Sequence, residues 1–239
     1  MALGSQPRWT VRPAVGARAD IDVGLREYML RIYNYMASGL ALTGIVAYVF
    51  AHSGYYVQVA HTPLIWLIML APLGLVMWLS YGIGRMQAST AQTLFWLYSG
   101  LMGLSLASIF LVFTGESIAR VFFITAGTFA AMSLYGYTTQ RDLSQFGSFL
   151  FMGLIGIIIA GLVNLFVHSS ALQFAISVIG VLVFTGLTAY DTQSIKEMYL
   201  VSDDGTVASK KAVMGALRLY LDFINLFMML LQLMGARRD

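Results

Sequence analysis

The chain has 239 residues, of which 59% are hydrophobic and only 10% are charged, and its mean hydropathy is +0.77. Charged residues make up about a quarter of an ordinary soluble domain, so this composition excludes a water-soluble globular fold and indicates an integral membrane protein. The absence of cysteine excludes disulfides, thiolate metal sites and cysteine nucleophiles.

The apolar segments predict an all-α integral membrane protein with seven transmembrane helices. Each segment approaches the ~20 residues that a helix needs to cross a bilayer, and a helix satisfies its own backbone hydrogen bonds in lipid. Residues 1–28 contain two prolines and several charges and are predicted to form a mostly disordered cytoplasmic tail. Residues 29–236 form one transmembrane domain, with helices at approximately 29–51, 63–83, 92–114, 118–139, 146–167, 172–195 and 212–234.

The lysines and arginines predict the orientation, because they concentrate on the cytoplasmic side of membrane proteins. One predicted side carries Arg8, Arg12, Arg18 and Arg26 in the tail, Arg85 and Arg141 in two connections, and Lys196, Lys210 and Lys211 before the last helix. The N-terminus is therefore predicted to be cytoplasmic and, after seven spans, the C-terminus external. The net charge of +3 follows from these connections rather than from a nucleic-acid-binding surface. Arg237 and Arg238 fall on the unexpected side, so a last helix that re-enters the membrane is the alternative.

Small residues predict where helices approach each other closely. Ser99, Gly103 and Ala107 recur every four residues, as do Gly156 and Ala160. Such stripes allow close helix–helix packing in a membrane.

The sequence predicts no enzymatic activity. It contains no P-loop, no G-x-S-x-G, no H-E-x-x-H and no dinucleotide-binding fingerprint. A Tyr-Asp pair resembles one of the two motifs of intramembrane aspartyl proteases, but the second motif, G-x-G-D, is missing. We expect no cofactor.

Two aspartates inside apolar sequence are the strongest candidates for a functional site. Asp191 closes the sixth predicted helix and Asp222 lies inside the seventh. A carboxylate at membrane depth costs roughly 2.5–3.5 kcal/mol on insertion scales, so it is rarely placed there without a use. The two helices are consecutive and joined by a polar loop, so we expect them to be antiparallel and to bring the carboxylates together. Both lie roughly 9–17 Å in from the cytoplasmic loop at ~1.5 Å per residue.

Two neighbouring carboxylates would share a proton, because like charges a few Å apart are costly to hold together. When both are ionised, their oxygens suit a hard cation such as Ca²⁺. Asn225 is on the same helical face as Asp222, and Tyr190 and Tyr220 are further candidates to donate hydrogen bonds to the pair. Two alternatives stay open: Asp222 pairs only with Arg218 on its own helix, or Asp191 is a hydrated helix end.

Four segments closely resemble the Bax inhibitor-1 (transmembrane Bax inhibitor motif) family and its bacterial branch. They are G-L-T-A-Y-D-T-Q-S-I-K (186–196), L-Y-L-D-F-I-N-L-F (219–227), T-G-E-S-I-A (114–119) and M-S-L-Y-G-Y-T-T-Q-R-D-L-S (132–144). The resemblance implies a seven-helix fold with the last helix central. It also implies a proton-sensitive calcium leak whose aspartate dyad maps onto Asp191 and Asp222.

The resemblance further implies an arginine at the end of the second helix that latches the closed state through the dyad. That position falls on Arg85, although many members carry an arginine cluster where this chain has one. Arg85 therefore either forms the latch or only marks the membrane boundary. Glu116 recurs in the branch's motif without a clear role.

A second functional class stays open, because part of the bacterial branch resembles modulators that bind the membrane protease FtsH. The arginine-bearing tail would suit such a contact. The expected partners are therefore the lipid bilayer, calcium and protons, with FtsH as the alternative partner and no nucleic acid. We expect a monomer in the bacterial inner membrane.

Overall fold

The computed structural model describes residues 15–238 of the chain, with side chains from residue 23 onward. Its helices are α1 (Val15–His52), α2 (Tyr55–Ala60), α3 (Leu64–Gly82), α4 (Ala88–Leu106), α5 (Ile109–Val112), α6 (Gly115–Thr138), α7 (Ser144–Val167), α8 (Ser170–Glu197) and α9 (Gly205–Met234). The described residues contain seven segments long and apolar enough to cross a membrane, with α4 and α5 together forming the third. The predicted all-α, seven-span architecture is confirmed.

Two helices begin earlier than the hydropathy pattern predicted. α1 begins at Val15 rather than near residue 29, so the second half of the predicted tail is helical, and residues 1–14 lie outside the described residues. α9 begins at Gly205 rather than near residue 212, because the Asp204 side chain caps it by accepting a hydrogen bond from the Val207 N–H at 2.7 Å. Hydropathy detects only the apolar part of each helix, whereas polar first turns are helical as well.

α9 is the central helix of the bundle. In its most apolar window 67% of the residues are buried, against 11–39% in the other spans. It packs against α1, α4, α6 and α8. The prediction that the last helix is central is confirmed. The outer helices instead expose large apolar side chains, such as Trp66 on α3 and Phe123 on α6, which suits contact with lipid.

Three connections meet at one end of the bundle, which we call the basic end. The Lys210 ammonium lies 3.4 Å from the Gly84 carbonyl in the α3–α4 turn. The Gln193 side chain holds the α6–α7 connection, because it donates to the Arg141 carbonyl and accepts from the Leu143 N–H, both at 2.8 Å. The α8–α9 loop is closed by a Lys211–Asp203 ion pair at 2.6 Å.

The C-terminal residues 235–238, which we call the C-terminal strap, bind at the opposite end. The Thr114 N–H donates to the Ala236 carbonyl at 3.0 Å, and the Arg238 N–H donates to the Val112 carbonyl at 2.9 Å. The Ala236 N–H donates to the Ser117 hydroxyl at 2.8 Å. α9 therefore crosses the whole bundle without a break, and the structure does not adopt the re-entrant alternative.

The two predicted small-residue stripes pack differently. Ser99, Gly103 and Ala107 are buried, and a Cβ on Gly103 would lie 2.7 Å from the Thr43 carbonyl oxygen on α1. In the second stripe Ala160 is partly buried against the core, but Gly156 is exposed and a Cβ there would meet nothing within 4 Å. Equal spacing of small residues therefore led to a close backbone approach at Gly103 but not at Gly156.

Candidate functional site

The structure brings Asp191 and Asp222 together. α8 and α9 form an antiparallel pair, and the two carboxyl groups lie within hydrogen-bonding reach of each other. Asp191 lies six residues before the end of α8, and Asp222 lies eleven residues beyond Lys211 on α9. At ~1.5 Å per residue, these offsets place the pair roughly 9–17 Å inside the basic end. We call Asp191 and Asp222 the dyad.

The two members of the dyad have different surroundings. Asp222 is only 5% exposed, and its Oδ2 atom is buried without a hydrogen-bond partner among the described residues. Asp191 is partly exposed. A buried polar oxygen left unpaired costs about 1–3 kcal/mol, and more when it is charged. Such an atom therefore calls for water, a shared proton or a cation.

Arg218 lies one turn before Asp222 on α9. It is exposed, although its neighbours Leu217 and Leu219 are 1% and 0% exposed. It makes no ion pair with a described carboxylate. The structure therefore does not form the intrahelical ion pair between Arg218 and Asp222.

The buried hydroxyl of Tyr28 on α1 also lacks a hydrogen-bond partner among the described residues. Its ring centre lies 5.5 Å from that of Tyr199 in the α8–α9 loop, at the basic end. Buried polar atoms in proteins are nearly always paired with protein or with ordered water. Tyr28 and Asp222 are therefore candidate positions for bound water.

The three predicted supporting residues bind elsewhere. The Asn225 side-chain amide donates to the Leu221 carbonyl of its own helix at 2.8 Å. The Tyr220 hydroxyl bonds to Thr43 Oγ1 at 2.7 Å, and its ring packs edge-on against Tyr98. The Tyr190 ring packs on Gly147 of α7. The sequence places Asn225 on the same helical face as Asp222, but in the structure its side-chain amide donates to a carbonyl of its own helix instead.

Arg85 does not contact the dyad. It lies exposed in the turn between α3 and α4, and the structure shows no ion pair or side-chain hydrogen bond to it from the described residues. Glu116, the other residue without a clear role, lies exposed in the first turn of α6 and pairs with Arg120 at 2.7 Å. An acidic residue in the first turn also interacts favourably with the positive end of the helix dipole.

A chain of hydrogen-bonded hydroxyl groups lies beside the dyad, and the sequence did not predict it. The Thr192 hydroxyl, next to Asp191 in the chain, lies 2.9 Å from the Ser133 hydroxyl of α6, which lies 2.6 Å from the Tyr33 hydroxyl of α1. Thr192 and Ser133 are 0% and 4% exposed. The sequence feature that could have predicted it is the presence of hydroxyl side chains inside apolar helices, because such side chains form hydrogen bonds between helices in membranes. The chain connects α8, α6 and α1 at the level of the dyad.

The dyad offers oxygen ligands of the kind that a hard cation takes, but only a part of its coordination shell. The dyad supplies only carboxylate oxygens, the ligands that Ca²⁺ prefers, but Ca²⁺ takes 6–8 oxygens. The described residues contain no group of three or more His, Cys, Asp or Glu that could hold a metal ion. Water or backbone carbonyls would have to supply most of the shell, which suits an ion in passage.

Comparisons with known proteins extend over nearly the whole chain. The family model described as "Inhibitor of apoptosis-promoting Bax1" matches residues 25–239. Uncharacterized protein RP147 of Rickettsia prowazekii is 53% identical over 219 residues, which cover 91% of this chain and 93% of that protein. Inner membrane protein YbhL of Escherichia coli K12 is 51% identical over 219 residues, covering 90% and 94%. An uncharacterized membrane protein of Streptococcus pyogenes serotype M6 is 35% identical over 217 residues, covering 90% and 94%.

Proposed function

The chain belongs to the Bax inhibitor-1 family of membrane proteins, and we propose that it is a proton-sensitive calcium leak of the bacterial inner membrane. Its seven apolar helices and its likeness to the inner membrane protein YbhL support a multi-pass location in that membrane. The observation that carries the proposal is the pairing of the Asp191 and Asp222 carboxyl groups inside the bundle, with the buried Asp222 Oδ2 atom lacking a partner among the described residues.

The proposed switch is the proton shared by the dyad. With one proton, the pair carries a single negative charge and the two carboxyls hold each other by a hydrogen bond across α8 and α9. With no proton, two like charges face each other in a buried site, which is unfavourable unless a cation lies between them. Proton loss and cation entry are therefore coupled, and a change in pH alters both the cation affinity of the site and the packing of the two helices.

The coupling has a structural route to the rest of the bundle. Thr192 follows Asp191 on α8 and bonds to Ser133 on α6, which bonds to Tyr33 on α1. A movement of α8 relative to α9 would stress this chain of hydroxyls, because interhelical hydrogen bonds in lipid have few alternative partners. The dyad is thus positioned to bias a rearrangement of α1, α6 and α8 together.

The test is calcium flux into proteoliposomes of the purified full-length protein, measured across a pH series. We expect flux that changes with pH in the wild type and loses its pH dependence in Asp191→Asn and Asp222→Asn. A single remaining carboxylate has no partner with which to share a proton. Asp142→Asn is the matched control, because Asp142 lies in the α6–α7 connection and its Oδ1 acceptor for the Ser144 N–H is kept in asparagine.

Two results would count against the proposal. If both dyad variants keep the wild-type pH profile, the dyad is not the proton sensor. If the wild type carries no calcium at any pH, the leak itself is wrong and the alternative, binding to the membrane protease FtsH, becomes the better hypothesis. Co-purification of the full-length chain with the protease would then support that alternative.

A further inference from the structure

A long groove opens on the side of the bundle between α1 and α6. These two helices do not pack along their length, and the gap between them is floored by Phe223, Ile224 and Phe227 of α9. We call this gap the lateral groove; its volume is about 1140 Å³. It runs from Arg26 to Ala47 along α1, which corresponds to roughly 30 Å at ~1.5 Å per residue, the thickness of the hydrocarbon core of a bilayer.

The walls of the lateral groove are almost entirely apolar. Its few interior hydroxyls already bond within the protein: Tyr33 to Ser133 at 2.6 Å, and Thr43 to Tyr220 at 2.7 Å. A hydrophilic ligand would find almost no free donor or acceptor along the walls, and its polar groups would be buried at a cost. The groove therefore suits a hydrocarbon occupant.

The length of the lateral groove suits acyl chains. The groove is as long as the hydrocarbon core of a bilayer is thick, roughly 30 Å. The chains of a lipid whose headgroup lies at one mouth would therefore extend along about half of the groove.

Positive charge marks only the basic end of the lateral groove. Exposed Arg26 lines that end. Tyr137 lines the α6 side there, and the Lys196 ammonium lies 2.8 Å from the Tyr137 carbonyl oxygen and 5.7 Å from its ring centre. The other end is lined by Phe110, Gly115 and Ile118, and no lysine or arginine of the described residues lines it. The charge is complementary to an anionic headgroup at one mouth.

We propose that the lateral groove is a binding site for one anionic phospholipid. Its acyl chains lie along the apolar walls of α1 and α6 over the α9 floor. Its phosphate lies at the basic end, where the Arg26 guanidinium donates to the phosphate oxygens and Lys196 adds positive charge. The site differs from the shell of lipid around any membrane protein, because its floor is the buried central helix.

The test uses the full-length protein in detergent, with retained lipid counted by native mass spectrometry. The probes are phosphatidylglycerol and phosphatidylcholine with the same acyl chains. We expect one phosphatidylglycerol to be retained by the wild type in preference to phosphatidylcholine. Ala130→Trp, which fills the groove wall, should lower that retention roughly tenfold, since the added ring displaces chain contacts. Ala131→Trp is the matched control, because Ala131 is also exposed but does not line the groove.

The headgroup is tested separately. Arg26→Gln should lower the preference for phosphatidylglycerol over phosphatidylcholine roughly fivefold, the effect of one basic residue near an anionic surface. Arg31→Gln, at an exposed position of α1 outside the groove, should not. Loss of a thermal melting transition would show that Ala130→Trp fails to fold. Ala126→Leu, a smaller change in the same groove, then replaces it in the test.

Three outcomes would overturn the proposal. If Ala130→Trp and Ala131→Trp retain lipid equally, the lipid is only the ordinary surrounding shell. If the wild type retains both lipids equally, the anionic headgroup is wrong. If the native mass is that of a dimer that Ala130→Trp converts to monomer, the groove holds a second copy of this chain. None of these results depends on calcium flux.

Discussion

Arg218 shows how one side chain distinguishes two models of the site. The sequence offered Arg85 as a distant latch and Arg218 as an intrahelical partner of Asp222. In the structure Arg85 is exposed in a turn, while Arg218 is exposed one turn from Asp222 and makes no ion pair with a described carboxylate. A positive charge this close to a carboxyl group favours its ionised form.

We therefore predict that Arg218→Gln raises the midpoint of the pH dependence of calcium flux. A nearby cation makes the dyad harder to protonate, so removing it allows protonation at higher pH. The expected rise is about 1 pH unit or less, because the arginine is exposed and partly screened. Arg85→Gln is the control and should keep the wild-type midpoint. If instead Arg85→Gln moves the midpoint and Arg218→Gln does not, the arginine at the end of α3 is the latch.

At the scale of elements, Gly103 of α4 and Gly156 of α7 lie in opposite environments. A Cβ on Gly103 would press against the Thr43 carbonyl oxygen and the Val46 side chain, so α1 and α4 can approach only because the Cβ is missing. Gly156 faces open space. A backbone oxygen cannot move aside as a flexible side chain can, so a substitution at Gly103 should be tolerated less well than one at Gly156.

Gly103→Ala should lower the free energy of unfolding by about 1–3 kcal/mol, the usual cost of overpacking. Gly156→Ala should be neutral or raise it by up to about 1 kcal/mol, because alanine is the better helix former. Thermal or denaturant melting in the same detergent measures both. Equal effects of the two substitutions would contradict the close contact between α1 and α4.

The C-terminal strap is an element that hydropathy cannot predict. It forms one antiparallel bridge, between Phe113 and Arg237, together with the Ala236–Ser117 bond. A chain ending after Met234 would lose three hydrogen bonds, each contributing about 0.5–1.5 kcal/mol. We expect a lower melting temperature for the truncated chain, with Ser117→Ala giving a smaller decrease. A truncated chain that melts like the wild type would show that the strap does not stabilise the fold.

At the scale of the whole molecule, the positions of the charged connections predict which end faces the cytoplasm. The structure places the α3–α4, α6–α7 and α8–α9 connections at the basic end and the C-terminal strap at the opposite end. The distribution of lysine and arginine then predicts that the basic end is cytoplasmic. The absence of cysteine allows a clean test with single introduced cysteines.

Cysteine at exposed Ser202, in the α8–α9 loop, should resist an impermeant thiol reagent added to intact cells. Cysteine at Ser170, at the opposite end, should react. Both cysteines should react after the membrane is permeabilised. The reverse pattern in intact cells would invert the proposed orientation.

The sequence by itself determined the seven spans and the two aspartates of the candidate site, and its family resemblance implied the central last helix. Lipid forces every spanning segment to be helical, so hydropathy alone locates the apolar part of each helix. A short α8–α9 loop makes the last two helices antiparallel neighbours, so the separation of Asp191 and Asp222 followed from their positions in the chain. The family resemblance of residues 186–196 and 219–227 pointed to the same pair.

Only the tertiary structure decided which side chains accompany the dyad. The Tyr220 hydroxyl bonds to Thr43, the Asn225 amide bonds to its own helix, and Arg218 is exposed between two buried leucines. The lateral groove likewise depends on α1 and α6 standing apart over α9, a relation between helices remote in sequence. Helix formation is a local property in a membrane, whereas the rotation and separation of helices depend on packing, and packing decides which polar atoms find partners.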